Sequence, residues 1–245
     1  MNCKMCENMC PAVCLTRPYR DVGVQSYAAA ARDEYIRKES SSGGIFTVFS
    51  KYFLRQGGIV FGAAFLKNFH AVQHISVKTE AELQLLRGSK YMQSRIENTY
   101  KEAETALIQG RKVLFTGTPC QIAGLKSFLN QEYDGLYSLA VACYGVPAPF
   151  VWSEYLDYLE CRYGGYTTNV SFRNKDAGWK KYRIKIQFSN GRQYRKTYSS
   201  DLYMRGFLRG YYLRPSCYAC KFKGVNSYWD IMLADMWGLE EVCPE

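Results

Sequence analysis

The positions of ten cysteines limit what this 245-residue chain can fold into more than any other feature of the sequence. The first residues are rich in cysteine and methionine and lack the apolar segment of a signal peptide, so we expect a cytoplasmic protein. In a reducing compartment, cysteines serve metal or redox chemistry more often than disulfides. Most of them form one amino-terminal group and one dispersed group, and each group predicts a metal site.

The amino-terminal group has most of the spacing of the bacterial ferredoxin motif C-x2-C-x2-C-x3-C-P, which wraps thiolates around one cluster. Cys3, Cys6 and Cys10, with the proline that follows, fit its last three positions. The first cysteine would fall just before the sequence begins. Residues 1–18 are therefore predicted to be a partial ferredoxin-type 4Fe-4S motif, and a zinc knuckle that also uses Cys14 is the alternative.

The central part of the chain alternates helices and strands. Apolar residues recur at helical spacing from Ile45 until the glycine pair 57–58. The pattern further predicts strands at 59–65, 112–116 and 136–142 and helices at 80–86, 98–109, 119–129 and 149–160. Strands that alternate with helices indicate a mixed α/β (α+β) fold, with a layered sheet and flanking helices.

The pattern of predicted secondary structure changes after residue 167. Strands are predicted at 170–173, 182–188 and 193–198, followed by a helix at 202–209 and a last strand at 231–234. The Asn190-Gly191 pair is a hairpin signal between two of these strands. We therefore expect a small antiparallel β segment within a main domain 40–245, which a linker 19–39 joins to the amino-terminal motif.

Four dispersed cysteines predict a second metal site. Cys120 and Cys143 each follow a predicted strand, and the carboxyl ends of parallel strands meet at one crevice of a sheet. Cys217 and Cys220 form a C-x2-C pair. Four thiols satisfy either a 4Fe-4S cluster or a structural zinc ion. Both interpretations remain open at this point.

The remaining potential ligands fit no site. His70 and His74 lie in a strand-like stretch, more than roughly 10 Å apart at the usual rise per residue, and we expect surface or packing roles for both. Cys161 and Cys243 match no ligand spacing and are expected to be buried or free thiols.

Two loops have residues suited to a phosphate-bearing cofactor. Residues 40–44 are three serines and two glycines before a helix, where serines cap and glycines let amides approach a phosphate. A simple helix cap is the alternative. In the polar loop 87–94, Lys90 beside a flavin would stabilise the anionic reduced form, whereas a solvated loop is the alternative.

A third loop, 116–121, joins a buried strand to a helix. Thr118 can cap this helix and Pro119 suits its first position. The first helical turn would favour a thiolate at Cys120. Without a nearby histidine partner, we expect this thiolate to be a metal ligand rather than a nucleophile.

Charge patterning limits the possible partners. The net charge of +10 should attract anions, including phosphate-bearing cofactors and an acidic redox partner. The basic, aromatic loop 173–182 resembles nucleic-acid binders, cofactor lids and ordinary solvated turns alike. No fold motif supports nucleic acid, so we expect none. The longest uncharged run, 135–153, contains glycine and prolines and predicts no membrane span.

Six motifs together resemble the coenzyme F420 hydrogenase/dehydrogenase β-subunit family. They are SSSGGIF at 40–46, GGIVFGA at 57–63, LRGSKY at 86–91, GTPCQIAGL at 117–125, RPSCYACKF at 214–222 and ADMWG at 234–238. The resemblance covers about four-fifths of the chain, and the motifs occur in the family's order. It implies an oxidoreductase module that passes electrons between iron–sulfur clusters and a hydride carrier such as F420.

The resemblance also implies cofactors, partners and site residues. FAD would be contacted by Ser41, Ser42, Gly43, Gly44, Arg87, Gly88, Ser89, Lys90, Tyr91, Gln93 and Thr118. Cys120, Cys143, Cys217 and Cys220 would hold a 4Fe-4S cluster beside the flavin. The expected partners are a ferredoxin or another iron–sulfur redox subunit and a small-molecule hydride carrier. An electron-transfer or docking subunit without its own catalysis, and a zinc-stapled binding protein, are the alternatives.

The sequence departs from the family at three places. The family usually has histidine where Tyr144 follows Cys143. Most of the ferredoxin domain is missing, and members continue beyond the ADMWG motif. We therefore expect a fragment or a short gene model.

Overall fold

The computed structural model describes Glu7, Cys10 and residues 24–223 and 228–238. The predicted ferredoxin-type motif, apart from Cys10, lies outside the described residues. Cys10 is half-buried.

The described elements follow the predicted alternation closely. The helices are α1 Glu34–Glu39, α2 Ile45–Arg55, α3 Leu83–Leu86, α4 Thr99–Ile108, α5 Pro119–Leu129, α6 Pro149–Tyr163, α7 Leu202–Leu208 and α8 Pro215–Tyr218. The strands are β1 Ile59–Phe65, β2 Val72–Val77, β3 Ser94–Arg95, β4 Val113–Gly117, β5 Leu136–Val141, β6 Thr167–Asn174, β7 Arg183–Phe188, β8 Gln193–Thr197 and β9 Ile231–Leu233. Among these, α1, β3 and α8 were not predicted from the sequence, and β2 lies in the strand-like stretch around His74.

Six strands form the main sheet in the order β3-β2-β1-β4-β5-β9. The sheet is mixed, because β2 runs antiparallel to β1 whereas β4 runs parallel to both β1 and β5. Strand β9 pairs in parallel with β5 at one edge. The carboxyl ends of β4, β5 and β9 therefore lie at the same edge of the sheet.

Helices cover both faces of this sheet, as the alternation predicted. Phe61 and Phe115 pack with Ile122 of α5 on one face. On the other face, Leu114 packs with Phe53 of α2. Side chains of neighbouring residues in a strand point to opposite faces, so Leu114 and Phe115 each enter a different apolar layer.

The predicted antiparallel segment is confirmed as a three-stranded sheet, β6-β7-β8. Gly191 has a φ of 81°, which suits glycine, in the turn between β7 and β8. The fully buried Trp152 of α6 packs with Phe172 and Ile184 to form the core of this part. Within the described ranges, no helix has both the length and the hydropathy needed to cross a membrane.

Candidate functional site

Four cysteines gather at the carboxyl edge of the main sheet. Cys120 lies in the first turn of α5 after β4, and Cys143 lies two residues beyond the end of β5. The segment that carries Cys217 and Cys220 is tied to the loop after β5, because the Arg214 N–H donates to the Val146 carbonyl at 2.9 Å. We call Cys120, Cys143, Cys217 and Cys220 the four-thiol group.

Gly145 lets the two cysteine segments approach each other closely. A Cβ atom at this position would lie 3.2 Å from Cys217 Cβ and 2.8 Å from Leu213 Cδ1. Any larger residue would therefore push the Cys217 segment away from the Cys143 loop. The Cys217 N–H donates to the Arg214 carbonyl at 2.8 Å, which fixes the start of the C-x2-C turn.

The electrostatics of the four-thiol group favour protonated sulfur when no cation is present. Burial, with a smaller contribution from the neighbouring Cys120, raises the pKa of Cys143 to about 11. Burial also raises the pKa of Cys120, although the Thr118 hydroxyl lies 3.2 Å from its sulfur and opposes this shift. The first turn of α5 was expected to favour a thiolate at Cys120, whereas burial shifts its pKa in the opposite direction.

Mutual repulsion makes the four thiols a coupled set. Cys217 and Cys220 both raise the pKa of Cys120 and of Cys143. Ionising all four sulfur atoms together therefore requires a compensating positive charge between them. Metal binding supplies such a charge and releases the thiol protons.

The two loops predicted to contact a cofactor meet directly. The Ser41 hydroxyl accepts a hydrogen bond of 2.7 Å from the Ser89 N–H, across 48 positions of sequence. Lys175 donates to the Ser42 carbonyl at 3.4 Å and to the Arg37 carbonyl. We call this contact region the Ser41–Ser89 junction.

The serines do not cap the following helix, so the simple-cap alternative for them is wrong. Gly44 is the residue before α2, with a φ of 85°, and no side chain caps this terminus. Gly43 and Gly44 have no side chain, which lets this turn pack closely within the protein. A Cβ atom on Gly43 would lie 3.0 Å from the Ala29 carbonyl oxygen, and one on Gly44 would lie 2.9 Å from Ile36 Cγ2. The two glycines thus allow the turn to pack against the segment that contains Ala29 and Ile36.

The polar loop also reaches the four-thiol group at its other end. Arg214 donates to the side-chain oxygen of Gln93. Because Arg214 immediately precedes the C-x2-C segment, one loop joins the Ser41–Ser89 junction to the cysteines. Gly88, with a φ of 83°, is an exposed bend in this loop.

Lys90 lies within this loop rather than in solvent. Its Nζ atom donates to the carbonyls of Leu86, Arg87 and Gly88 at 2.9–3.2 Å, and lies 5.8 Å from the centre of the Phe65 ring. Burial lowers the pKa of Lys90 to about 7. The three carbonyls oppose this shift because they stabilise the ammonium form.

The two ends of the basic loop 173–182 are buried, at Arg173 and Tyr182, whereas its tip is exposed at Asp176, Gly178 and Lys180. Arg173 is buried and donates to Asp235 at 2.5 Å, with its guanidinium 4.9 Å from the Tyr182 ring centre. Trp179 stacks on Trp237 at 4.5 Å between ring centres. The sequence pattern gave no role to any of these side chains, although it singled out both segments that carry them, the loop 173–182 and the ADMWG motif.

Several buried nitrogen atoms of this region have no hydrogen-bond partner within the described residues. They are Nε of Arg87, Nε and Nη2 of Arg173, and Nε1 of Trp179. Buried donors are normally paired, so such a set indicates a missing acceptor. Tyr91 lies between these groups, and burial raises the pKa of its hydroxyl while the Arg173 charge opposes that shift.

Of the remaining sequence candidates, Cys161 and His74 are not members of the four-thiol group, whereas the Thr118 hydroxyl contacts Cys120. Cys161 is an exposed free thiol on α6. His74 is buried and bridges the sheet, so a packing role is confirmed. Thr118 precedes α5, and the Gln121 side chain accepts from its N–H at 3.0 Å, as in a helix cap.

Comparison with known proteins assigns the family. The model for the coenzyme F420 hydrogenase/dehydrogenase β subunit N-terminus matches residues 26–100, and the model for the C-terminus matches residues 110–242. The chain belongs to this family. Membership indicates an oxidoreductase or electron-transfer role, and the resemblance carried by the six motifs is confirmed.

Two similar proteins illustrate the family. The coenzyme F420-dependent sulfite reductase of Methanocaldococcus jannaschii is 30% identical over 162 residues, which are 64% of this chain and 25% of that protein. A chain of the F420-reducing NiFe hydrogenase complex from Methanosarcina barkeri superposes with a TM-score of 0.55 at 18% identity, covering 82% of this chain and 66% of that one. The second likeness shows a shared fold. The chain spans less than two thirds of either protein.

Proposed function

We propose that this chain is an oxidoreductase module that passes electrons between iron–sulfur centres and a hydride-carrying coenzyme such as F420, with FAD and one 4Fe-4S cluster as its cofactors. The observation that carries the proposal is the four-thiol group, whose members are coupled electrostatically at one edge of the sheet. Family membership supports the same class of chemistry.

The spacing of the thiols favours a cluster over a single zinc ion. In a tetrahedral zinc site with Zn–S bonds of about 2.3 Å, the sulfur atoms lie about 3.8 Å apart. Within the described part of the chain, no three of these sulfur atoms lie within 4.8 Å of one another. A 4Fe-4S cluster takes four cysteine ligands around a larger body. Cys120, Cys143, Cys217 and Cys220 would hold it.

The Ser41–Ser89 junction and its surroundings fit a phosphate-bearing cofactor. The unpartnered nitrogens of Arg87 and Arg173 would donate to phosphate or carbonyl oxygens, which resolves their unpaired state. The unpartnered indole N–H of Trp179, whose ring lies beside Arg173, is a further donor for such a cofactor. We assign Ser41, Ser42, Gly43, Gly44, Arg87, Gly88, Ser89, Lys90, Tyr91, Gln93 and Thr118 to contact with FAD, and add Arg173 to this set.

The bound FAD supplies the exchange between two-electron hydride transfer and single-electron transfer to a cluster. In this proposal, the chain's own residues would hold the two cofactor sites next to each other. The loop of residues 87–94 contacts Ser41 at one end and Arg214 at the other, so the two sites share one structural support.

Exposed tyrosines beside the four-thiol group fit a redox partner. Tyr144, Tyr211 and Tyr218 are all more than half exposed. Lys223 lies 5.7 Å from the Tyr144 ring centre, and Arg209 lies 6.0 Å from that of Tyr211. Basic and aromatic groups together suit an acidic ferredoxin or iron–sulfur subunit. Such a partner would deliver electrons at this edge.

Absorbance and iron analysis of anaerobically purified protein test the proposal. We expect flavin bands with a broad iron–sulfur shoulder, and about four iron atoms per cluster-loaded chain. Replacing Cys217→Ser should remove most of the iron. Cys161→Ser is the matched control, because this exposed thiol lies outside the group, and its iron content should equal that of the wild type.

Other results would contradict the proposal in separable ways. Equal iron loss in both variants would refute the ligand assignment. A featureless spectrum with bound zinc would favour the zinc-stapled alternative. A cluster shoulder without any flavin, even after incubation with FAD, would favour an electron-transfer subunit that has lost its own catalysis.

A further inference from the structure

A second group of metal-ligating side chains lies where the loop between β1 and β2 meets α6. His70 comes from the loop, whereas Asp157 and Glu160 lie three positions apart on α6 and therefore share one face of the helix. One imidazole nitrogen and one oxygen of each carboxylate lie within 4.8 Å of one another. The proposed flavin and iron–sulfur function uses none of these residues.

The spacing of these atoms suits coordination better than direct hydrogen bonding. His70 Nε2 lies 3.5 Å from Glu160 Oε1, and His70 Nδ1 lies 3.7 Å from Asp157 Oδ1. Both distances exceed the usual N–H···O range of about 2.7–3.2 Å. A single ion binds only one of the two ring nitrogens, and Nδ1 lies 3.3 Å from the Ser153 hydroxyl, which leaves Nε2 as the ligand. Two ligands that each lie about 2.1 Å from a tetrahedral ion are about 3.4 Å apart, close to the 3.5 Å between Nε2 and Glu160 Oε1. A shared cation would also relieve the repulsion between the two carboxylates.

Neighbouring contacts hold the ligands in place. Glu160 Oε1 accepts from the Thr167 N–H at 2.7 Å, which orients the carboxylate. The Phe69 carbonyl accepts from the buried indole of Trp152 at 2.8 Å, and Phe69 has a φ of 63°, rare for a residue other than glycine. The residue before His70 is thus anchored to the core. Supporting hydrogen bonds of this kind are typical of metal sites.

The group opens onto a cleft of about 550 Å³. His70 and Glu160 line this cleft together with Lys67, Asn68 and Tyr166. Three protein ligands leave a coordination position for water or another ligand, as in open metal sites. Lys67 supplies a positive charge at the rim, which suits an anionic ligand in that position.

We propose that His70, Asp157 and Glu160 bind a divalent transition-metal cation. An imidazole with two carboxylates matches zinc, manganese or ferrous iron, whereas calcium and magnesium take oxygen ligands. The bound ion would join the loop after β1 to α6 and present its open position to the cleft.

Manganese is the most discriminating probe, because thiolates compete poorly for this ion. We would titrate Mn²⁺ into the full chain and follow the free ion by electron paramagnetic resonance. The wild type should bind one Mn²⁺ per chain, and Zn²⁺ should displace it, since nitrogen and oxygen sites prefer zinc over manganese. His70→Gln and Asp157→Asn should each raise the dissociation constant at least about tenfold.

Glu154→Gln is the matched control, because Glu154 is an exposed carboxylate on the same helix outside the group. Its affinity for Mn²⁺ should equal that of the wild type. Asp157 is itself exposed, so its replacement should leave folding intact, as thermal melts without metal would verify. The absence of Mn²⁺ binding at millimolar concentration, or equal binding by the wild type, His70→Gln and Asp157→Asn, would overturn the proposal. Flavin and iron contents of the same samples report on the proposed function separately.

Discussion

The Ser41 hydroxyl accepts a hydrogen bond of 2.7 Å from the main-chain N–H of Ser89. This contact joins the turn before α2 to the loop before β3, two segments that are far apart in sequence. Both segments belong to the proposed flavin site, and this hydrogen bond makes the position of each depend on the other. The contact therefore gives a direct way to disturb the site without removing a charge.

Replacing Ser41→Ala should weaken FAD binding by roughly fivefold to tenfold. The substitution leaves the half-buried Ser89 N–H without its acceptor, at a cost of about 1–3 kcal/mol, and frees the loop that carries Lys90. Flavin fluorescence during titration of the apoprotein measures the affinity. Ser41→Thr retains the hydroxyl and should bind FAD nearly as well as the wild type. Equal affinities for the alanine variant and the wild type would exclude a role for the contact.

Arg173→Met should reduce both the stability and the flavin affinity of the chain. Arg173 is buried, whereas its partner Asp235 is partly exposed, so removing Arg173 should cost less than the ~3–5 kcal/mol expected when one member of a fully buried pair is lost. Urea unfolding and flavin titration measure the two effects. The double variant Arg173→Met with Asp235→Asn should regain part of the stability but none of the flavin affinity. Recovery of flavin binding in the double variant would show that Arg173 acts only as a structural partner.

The local pattern of the sequence was sufficient for most of the sheet and its helices. The strand 59–65 and the helix 119–129 were predicted at the bounds observed for β1 and α5. Their signals are local: a glycine pair ends the preceding helix at 57–58, and Pro119 occupies the first position of α5. The predicted position of Cys120 and Cys143 at one edge followed from strand direction alone.

The missed features depend on contacts between distant residues. Strand β3 has only two residues and exists because it pairs with β2. The helix α1 falls inside the predicted linker, where Asp33 caps it through the Ile36 N–H. The burial of Arg173 by Asp235 joins positions 62 residues apart, and no spacing rule encodes such a pair. The sequence therefore predicted which segments carry the candidate site but could not identify the residues that enclose it.

Asp201→Ala should lower the free energy of unfolding more than the removal of any one hydroxyl group that donates to Asp201. The fully buried Asp201 carboxylate accepts from the hydroxyls of Tyr155 at 2.5 Å and Tyr194 at 2.7 Å, and from the Met204 N–H at 2.7 Å. Its removal leaves the Tyr194 hydroxyl and the Met204 N–H unpaired, each at a cost of about 1–3 kcal/mol, whereas the Tyr155 hydroxyl can still donate to the Tyr194 hydroxyl at 2.9 Å. Tyr155→Phe removes one donor and should cost about 1 kcal/mol. Urea unfolding of both variants gives the comparison, and equal losses would contradict a shared acceptor.

The imidazole of His74 is held neutral inside the main sheet. Its Nε2 atom lies 2.9 Å from the Thr116 carbonyl, which can only accept, so this nitrogen carries the proton. Nδ1 then accepts from the Ser94 hydroxyl at 2.7 Å. Burial lowers the pKa of His74 to about 4, against the smaller opposing effect of the Thr116 carbonyl.

This burial predicts a loss of stability in mild acid. The unfolded chain takes up a proton at His74 near pH 6.5, whereas the folded chain does so only near pH 4, so the free energy of unfolding should fall as pH falls between these values. The shift of about 2.5 pH units corresponds to roughly 3 kcal/mol. His74→Gln cannot titrate, so urea unfolding at several pH values should show a smaller decrease for this variant than for the wild type. Parallel pH profiles for the two proteins would show that His74 does not stay neutral in the folded sheet.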